Sequence, residues 1–285
     1  MIKFLPIIFI LLWSSAFITT KPIVDNSDPF AALCFRFLIV AIGFYFFSLF
    51  SRQKKLFVTK NILPSISTGI LFHGFYLGGV FYSISIGLPT GIAALIVTLQ
   101  PVLTNALAGP ILNEKITWEK WLGVLLGFVG AILVLGFDVG KSLPLQGIVA
   151  VVISLIAVTC ATLWQKKISN NLPLSVSNMY QAIGGFLFHL LIIIFFIQKP
   201  FISFSTTFVI AISHQILLVS FGAFSILMFL IKNNSASKTV SVFFLIPPTS
   251  AIMAWIFLGE NLNMIDIFGF IIATLGVYIA TREKN

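Results

Sequence analysis

The chain has 285 residues, of which 59% are hydrophobic and only 9% charged, with a mean hydropathy of +1.09. Soluble domains carry about 25% charged residues, so this composition excludes a water-soluble globular fold and places the protein in a membrane. The formal charge of +9 does not point to nucleic acid, because Lys and Arg fall in short connections between apolar runs, with no basic helix face and no basic patch interleaved with aromatics.

A membrane-crossing helix needs about 20 apolar residues. Ten runs approach that length, at about 4–21, 30–50, 63–87, 90–111, 118–137, 144–165, 174–197, 208–231, 237–258 and 264–281. The first follows Lys3 as the core of a signal peptide would, but no small-x-small cleavage site comes after it, and it is read as a retained helix. The second run contains Arg36, the one Lys or Arg clearly inside a span. In the third, Gly69, His73, Tyr76 and Ser83 recur at helical spacing and share a face. The fourth carries Thr98, Pro101 and Asn105 on one face, with Gln100 and Thr104 beside it, and ends at Glu114. The eighth repeats the small or polar stripe as Gln215, Val219, Gly222 and Ser225. The ninth contains Pro247 and ends at Glu260. Cys34 and Cys160 lie within apolar runs without metal-ligand spacing and are read as packing residues.

Pro247 follows Pro101 by 146 residues, and Glu260 follows Glu114 by the same 146. The offset also relates Lys21 to Lys167, Leu112 to Leu258, Gly123 to Gly269 and Gly130 to Gly276. A constant offset over that range marks a duplicated unit. The expected fold is therefore all-α and integral to the membrane, with ten transmembrane helices as two five-helix repeats, residues 1–140 and 141–285. Thirteen Lys and Arg fall on one side of the ten runs and only Lys21, Lys141 and Lys199 on the other, which puts both termini in the cytoplasm. Five is odd, so the second copy enters the bilayer inverted. Inverted repeats suit alternating access, since two similar halves can exchange conformations.

With Trp13-Ser14-Ser15-Ala16-Phe17, Lys21, Asp28-Pro29, Arg36, Leu99-Gln100-Pro101, Glu114 and the Gly123/Gly130 pair in the first half, and Pro247, Leu258-Gly259-Glu260, Gly269 and Gly276 in the second, the chain resembles the EamA-type transporters of the drug/metabolite transporter superfamily. It departs from that pattern at Asn113, where the family usually has glycine. The resemblance implies a ten-helix carrier of small metabolites in the bacterial inner membrane, often an exporter of amino acids. It also implies a central cavity lined by helices 1, 3, 4, 6, 8 and 9, with helices 5 and 10 at the periphery.

On this basis the expected cavity residues are Trp13, Arg36, His73, Tyr76, Thr98, Asn105, Gln215 and Ser225, with Pro101 and Pro247 as hinges. A mid-span proline frees backbone carbonyls that a cavity can satisfy; packing alone would also accept the kink. Arg36 has two readings, a clamp for a substrate carboxylate or a side chain reaching to the interface. His73 either meets substrate and titrates, or is a neutral histidine bonded to a neighbouring helix. Asn105 bonds to substrate or to another helix, and Gln100 has the same two readings. Lys21 and Trp164 read as interface anchors, His189 and His214 as structural, and Glu114 and Glu260 as carboxylates near the helix starts at Thr117 and Asn263.

All eight acidic residues fall at span ends or in connections, so no carboxylate sits mid-membrane to carry a proton. Proton coupling would have to use His73 or an end carboxylate. There is no Walker-type loop and no metal-ligand cluster, hence no expected cofactor or metal. The expected partners are a small-molecule substrate and membrane lipid, with no signal for an oligomeric state. A non-transporting scaffold or sensor is the alternative, and an intramembrane enzyme would have only three histidines to work with.

Overall fold

The computed structural model describes residues 4–52, 59–135, 143–258 and 264–282. Within them every regular element is helical, and the single extended contact is an isolated bridge between Ser27 and Ile202. In chain order the elements are α1 (Leu5–Asp25), α2 (Pro29–Phe50), α3 (Thr59–Gly69), a first π segment (Ile70–Leu77), α4 (Gly78–Ser85), α5 (Thr90–Val97), α6 (Gln100–Leu112), α7 (Trp118–Leu135), α8 (Leu145–Ile168), α9 (Leu174–Phe196), α10 (Thr206–His214), a second π segment (Gln215–Ala223), α11 (Phe224–Asn233), α12 (Ala236–Ser241), a 3₁₀ turn (Val242–Leu245), α13 (Ile246–Leu258) and α14 (Met264–Thr281).

Among the described residues six stretches are long and apolar enough to cross a membrane: α1, α2, α8, α9, the continuous run Thr206–Asn233, and α14. The protein is thus a multi-pass membrane protein. The third, fourth and ninth expected runs are divided into shorter helical pieces, and the fifth continues past α7 into residues outside those described. The exterior suits lipid. Phe47, Phe195 and Phe196 are 59%, 71% and 75% exposed, an apolar surface that water would not tolerate.

The interruptions occur in matched places. Shifting the first π segment, 70–77, by 146 gives 216–223, and the second occupies Gln215–Ala223. The break at Thr98–Leu99 maps in the same way onto 244–245, inside the 3₁₀ turn. Each break is followed by a proline in the first turn of the next helix, Pro101 in α6 and Pro247 in α13. There the missing N–H is no loss and the fixed φ favours restarting a helix. The prolines therefore punctuate two helices instead of kinking them in mid-course.

Helix ends are tied by side chains. Asp28 caps α2, its Oδ1 accepting from the amides of Phe30 and Ala31 at 2.9 Å each. Asn113 ends α6 in the left-handed region at φ 56°. That conformation explains a family glycine, and asparagine is among the residues that best tolerate it.

α7 and α14 cross closely at their glycines. A Cβ on Gly123 would fall 2.6 Å from the Gly276 carbonyl oxygen, and one on Gly130 would fall 2.5 Å from that of Gly269. Small residues are what let membrane helices approach backbone to backbone. Under the 146-residue shift, the contact of 123 with 276 becomes the contact of 269 with 130. The same correspondence holds elsewhere: α8 packs on the first π segment and α6, and α1 packs on the second π segment and α13.

Candidate functional site

α1, α2, the first π segment, α4, the second π segment and α11 line a partly open cavity. Its polar lining comes from Thr20, Arg36, His73, Tyr76, Gln215 and Ser220. The rest of the wall is aromatic or aliphatic, with Trp13, Phe17, Phe72, Phe81 and Phe224 the largest contributors. A second, smaller cavity shares Trp13, Phe17 and Tyr76 and adds Thr98, Gln100, Val158, Phe243 and Pro247.

Arg36 is 2% exposed. Its Nη1 donates to Gln215 Oε1 at 2.6 Å and its Nε to Ser220 Oγ at 2.9 Å. Its guanidinium carbon lies 5.2 Å from the centre of the Phe37 ring. Gln215 is held in turn by α1, with Nε2 donating to the Ala16 carbonyl and to Thr19 Oγ1 at 2.9 Å each. The amide carbonyl is thereby aimed at the guanidinium. A guanidinium has five N–H donors, and the two bonds to Gln215 and Ser220 leave three for the cavity.

No described acidic residue lines this space. Asp25 pairs with Lys21 on an exposed face of α1. Asp28 is spent on its cap and stands eight positions from Arg36, about 12 Å along a helix. A buried cation held only by neutral groups is costly, and intramembrane charges characteristically mark substrate or ion paths.

His73 lies between two rings, its centroid 4.3 Å from Phe37 and 4.5 Å from Phe224. Its Nδ1 is buried without a hydrogen-bond partner. Two carbonyls of this π segment take donors from neighbouring helices, that of His73 from His189 Nε2 at 3.0 Å and that of Phe75 from Ser154 Oγ at 3.3 Å. π segments recur at functional sites because they displace backbone groups from the α ladder.

Trp13, Arg36, His73, Tyr76 and Gln215 line one cavity, and Thr98 lines the adjoining one. Thr98 Oγ1 is committed to the Ala94 carbonyl at 2.7 Å. Two expected cavity residues lie elsewhere. Ser225 accepts from Asn178 Nδ2 at 3.3 Å and is absent from both walls, and Ser220 lines the cavity instead. The physical reason is the π segment, whose wider turn shifts the register of the stripe that an α-helix would continue from Gln215 through Gly222 to Ser225. Asn105 is buried outside both walls with neither amide atom bonded.

Gln100 donates to Thr162 Oγ1 at 2.9 Å while lining the smaller cavity. Pro247 borders that cavity, whereas Pro101 lines neither. Trp164 is exposed on α8, and His214 bonds to Ser15 Oγ at 3.0 Å. The residues that the sequence left out are chiefly aromatic. Phe17 and Thr20 had a signal, at four and seven positions from Trp13, but Phe72, Phe81 and Phe224 had none in a chain with 31 phenylalanines.

Glu114 works across the fold instead of at its own helix boundary. Its carboxylate accepts from the amide of Ala236 at 2.6 Å and from the Ser237 hydroxyl at 2.7 Å, capping α12. Lys166 at the end of α8 donates to the α11 carbonyls of Ile231 at 3.0 Å and Lys232 at 3.2 Å, and to that of Asn234 just beyond the helix at 2.6 Å. The turn between α11 and α12 is thus pinned from both sides. Glu260 lies outside the described residues.

Residues 2–136 and 145–282 each match the model of the EamA-like transporter family. A Salmonella typhimurium protein named a probable amino-acid metabolite efflux pump is 22% identical, the match covering 97% of this chain and 93% of that one. The uncharacterized transporter YyaM of Bacillus subtilis is 26% identical over 96% of this chain and 91% of its own. A crystal structure shares the fold, with a TM-score of 0.82 at 17% identity, covering 98% of this chain and 96% of the other.

Proposed function

Because the chain belongs to the EamA-like transporter family, we propose that it is a secondary transporter of the bacterial inner membrane that exports a small polar metabolite bearing a carboxylate, such as an amino acid or a derivative. The observation that carries this reading is Arg36, buried on the cavity wall with donors to spare and no acidic partner among the described residues. Arginine presents a planar fork matched to a carboxylate, which a flexible ammonium does not. The printed name of the Salmonella relative, an amino-acid metabolite efflux pump, agrees with such a cargo.

The transport mechanism in this reading is alternating access between two inverted five-helix repeats, residues 1–140 and 141–285. The matched π segments, the matched breaks before Pro101 and Pro247, and the reciprocal α7–α14 contacts support ten spans arranged in that way. The excess of Lys and Arg on one side places both termini in the cytoplasm. The cavity then lies in the outer half, near Thr20 and two turns from the start of α2, while the Glu114 and Lys166 clamps close the inner end. His73 shares the cavity wall with Arg36 and is the imidazole placed to meet a ligand.

The test is an untargeted comparison of metabolites inside and outside cells with and without the gene, followed by flux measurements in proteoliposomes. Carboxylate-bearing solutes should be retained by cells that lack the protein and should move in vesicles that contain it. A broad solute panel without protein-dependent movement would defeat the proposal. Ser220→Trp, which fills the cavity, should abolish flux; a scaffold or sensor would tolerate it.

A further inference from the structure

The charge inventory of the cavity narrows the cargo further. Its one fixed positive group is Arg36, and the polar atoms gather around it: Gln215 and Ser220 hold it, and His73 and Tyr76 adjoin it. The rest of the wall is chiefly aromatic, with Trp13, Phe17, Phe72, Phe81 and Phe224, and these rings reach the polar groups, Phe224 lying 4.5 Å from the His73 ring. No described carboxylate reaches the space. Asp28 is occupied by the amides of Phe30 and Ala31, and Glu114 caps α12.

A free α-amino acid would bring a second cation into this site. An ammonium has three N–H donors and would meet only neutral acceptors on this wall, two of which, the Gln215 carbonyl and the Ser220 hydroxyl, already accept from Arg36. Aromatic faces attract an ammonium, but once the carboxylate of an amino acid has neutralised Arg36 its ammonium is left as a charge without a counter-ion in the same low-dielectric space. A buried charge without a partner is the costliest element in such a complex. A carboxylate alone has no such conflict, and it neutralises Arg36.

Resting on the transporter reading above, we infer that the cargo is a monocarboxylate whose amino group is absent or blocked, such as a 2-oxo acid, a 2-hydroxy acid or an N-acyl amino acid, with an aromatic or branched aliphatic body. Free α-amino acids are selected against. Arg36 takes the carboxylate, and the aromatic wall formed by Trp13, Phe72 and Phe224 packs the apolar body.

Matched probes test the point. Purified protein in proteoliposomes is assayed by counterflow at pH 7.5, with protein-free vesicles subtracted, using 3-phenylpropionate against L-phenylalanine and 4-methylpentanoate against L-leucine. N-acetyl-L-phenylalanine serves as the blocked amine and 2-phenylethylamine as the cation alone. The acid should exchange at least tenfold faster than its amino acid in one or both pairs, the blocked compound should follow the acid, and the amine should not move. Arg36→Lys should keep the preference at reduced rate and Arg36→Gln should lose it. Amino acids moving as fast as their acids, or only unrelated solutes moving, would overturn the inference and leave the transporter reading standing. If nothing moves in vesicles of folded protein, both readings fail.

Discussion

Replacing Arg36 by glutamine separates binding from stability. The guanidinium keeps three N–H donors after its bonds to Gln215 and Ser220, and a carboxylate engages two in the forked geometry. Hydrogen bonds to charged groups contribute about 1.5–3 kcal/mol each, so Arg36→Gln should weaken a carboxylate ligand by about 3–6 kcal/mol, or roughly 10²–10⁴-fold. Folding should respond differently. Loss of the donor to Gln215 costs about 1–3 kcal/mol, but removal of an unpaired buried cation recovers several. The variant should therefore melt no lower than the native protein while losing its ligand. The assay is quenching of tryptophan fluorescence by the tightest-binding carboxylate probe, with Trp13→Phe as control, beside thermal unfolding in detergent. Binding within threefold of native by a normally folded Arg36→Gln protein would refute the reasoning.

The clamp at the other end gives a stability prediction. Glu114→Ala removes charge-assisted bonds to Ala236 and Ser237 and should cost about 1.5–3 kcal/mol, with Glu114→Gln losing less; an unchanged melting midpoint in both would contradict the capping role. His73→Ala should reduce transport, or flatten its pH dependence, more than His189→Ala, because His73 adjoins the cavity beside Arg36 and Tyr76 whereas His189 bonds to the His73 carbonyl. Flux measured from pH 5.5 to 8.5 decides it, and equal, negligible effects from the two variants would refute that ranking.

What the sequence displayed of this molecule depended on the kind of signal. Membrane character followed from composition, and the shared offset of Pro101/Pro247 and Glu114/Glu260 anticipated the matched interruptions. Arg36, His73 and Gln215 drew notice because a polar group in an apolar run is expensive to keep. The same logic selected Asn105, which the fold buries away from both cavities. Ser225 failed for a different reason. Extrapolating a stripe assumes a constant turn, and nothing in Gln215–Ala223 announces a wider one. The Glu114 bond to α12 spans 122 positions, beyond the reach of any local pattern, and the aromatic wall is hidden because phenylalanine is everywhere in this chain.

The glycine crossing of α7 and α14 has a mechanical consequence. Since each of its two contacts becomes the other when the halves trade roles, the joint keeps the same glycine crossing in both end states of the proposed cycle and serves as a pivot. In the clamp on the α11–α12 turn the Lys166 arm has no such twin, because Thr20 stands where the shift would place one. The two ends of the proposed cycle therefore share the glycine joint and differ in the lysine fastening.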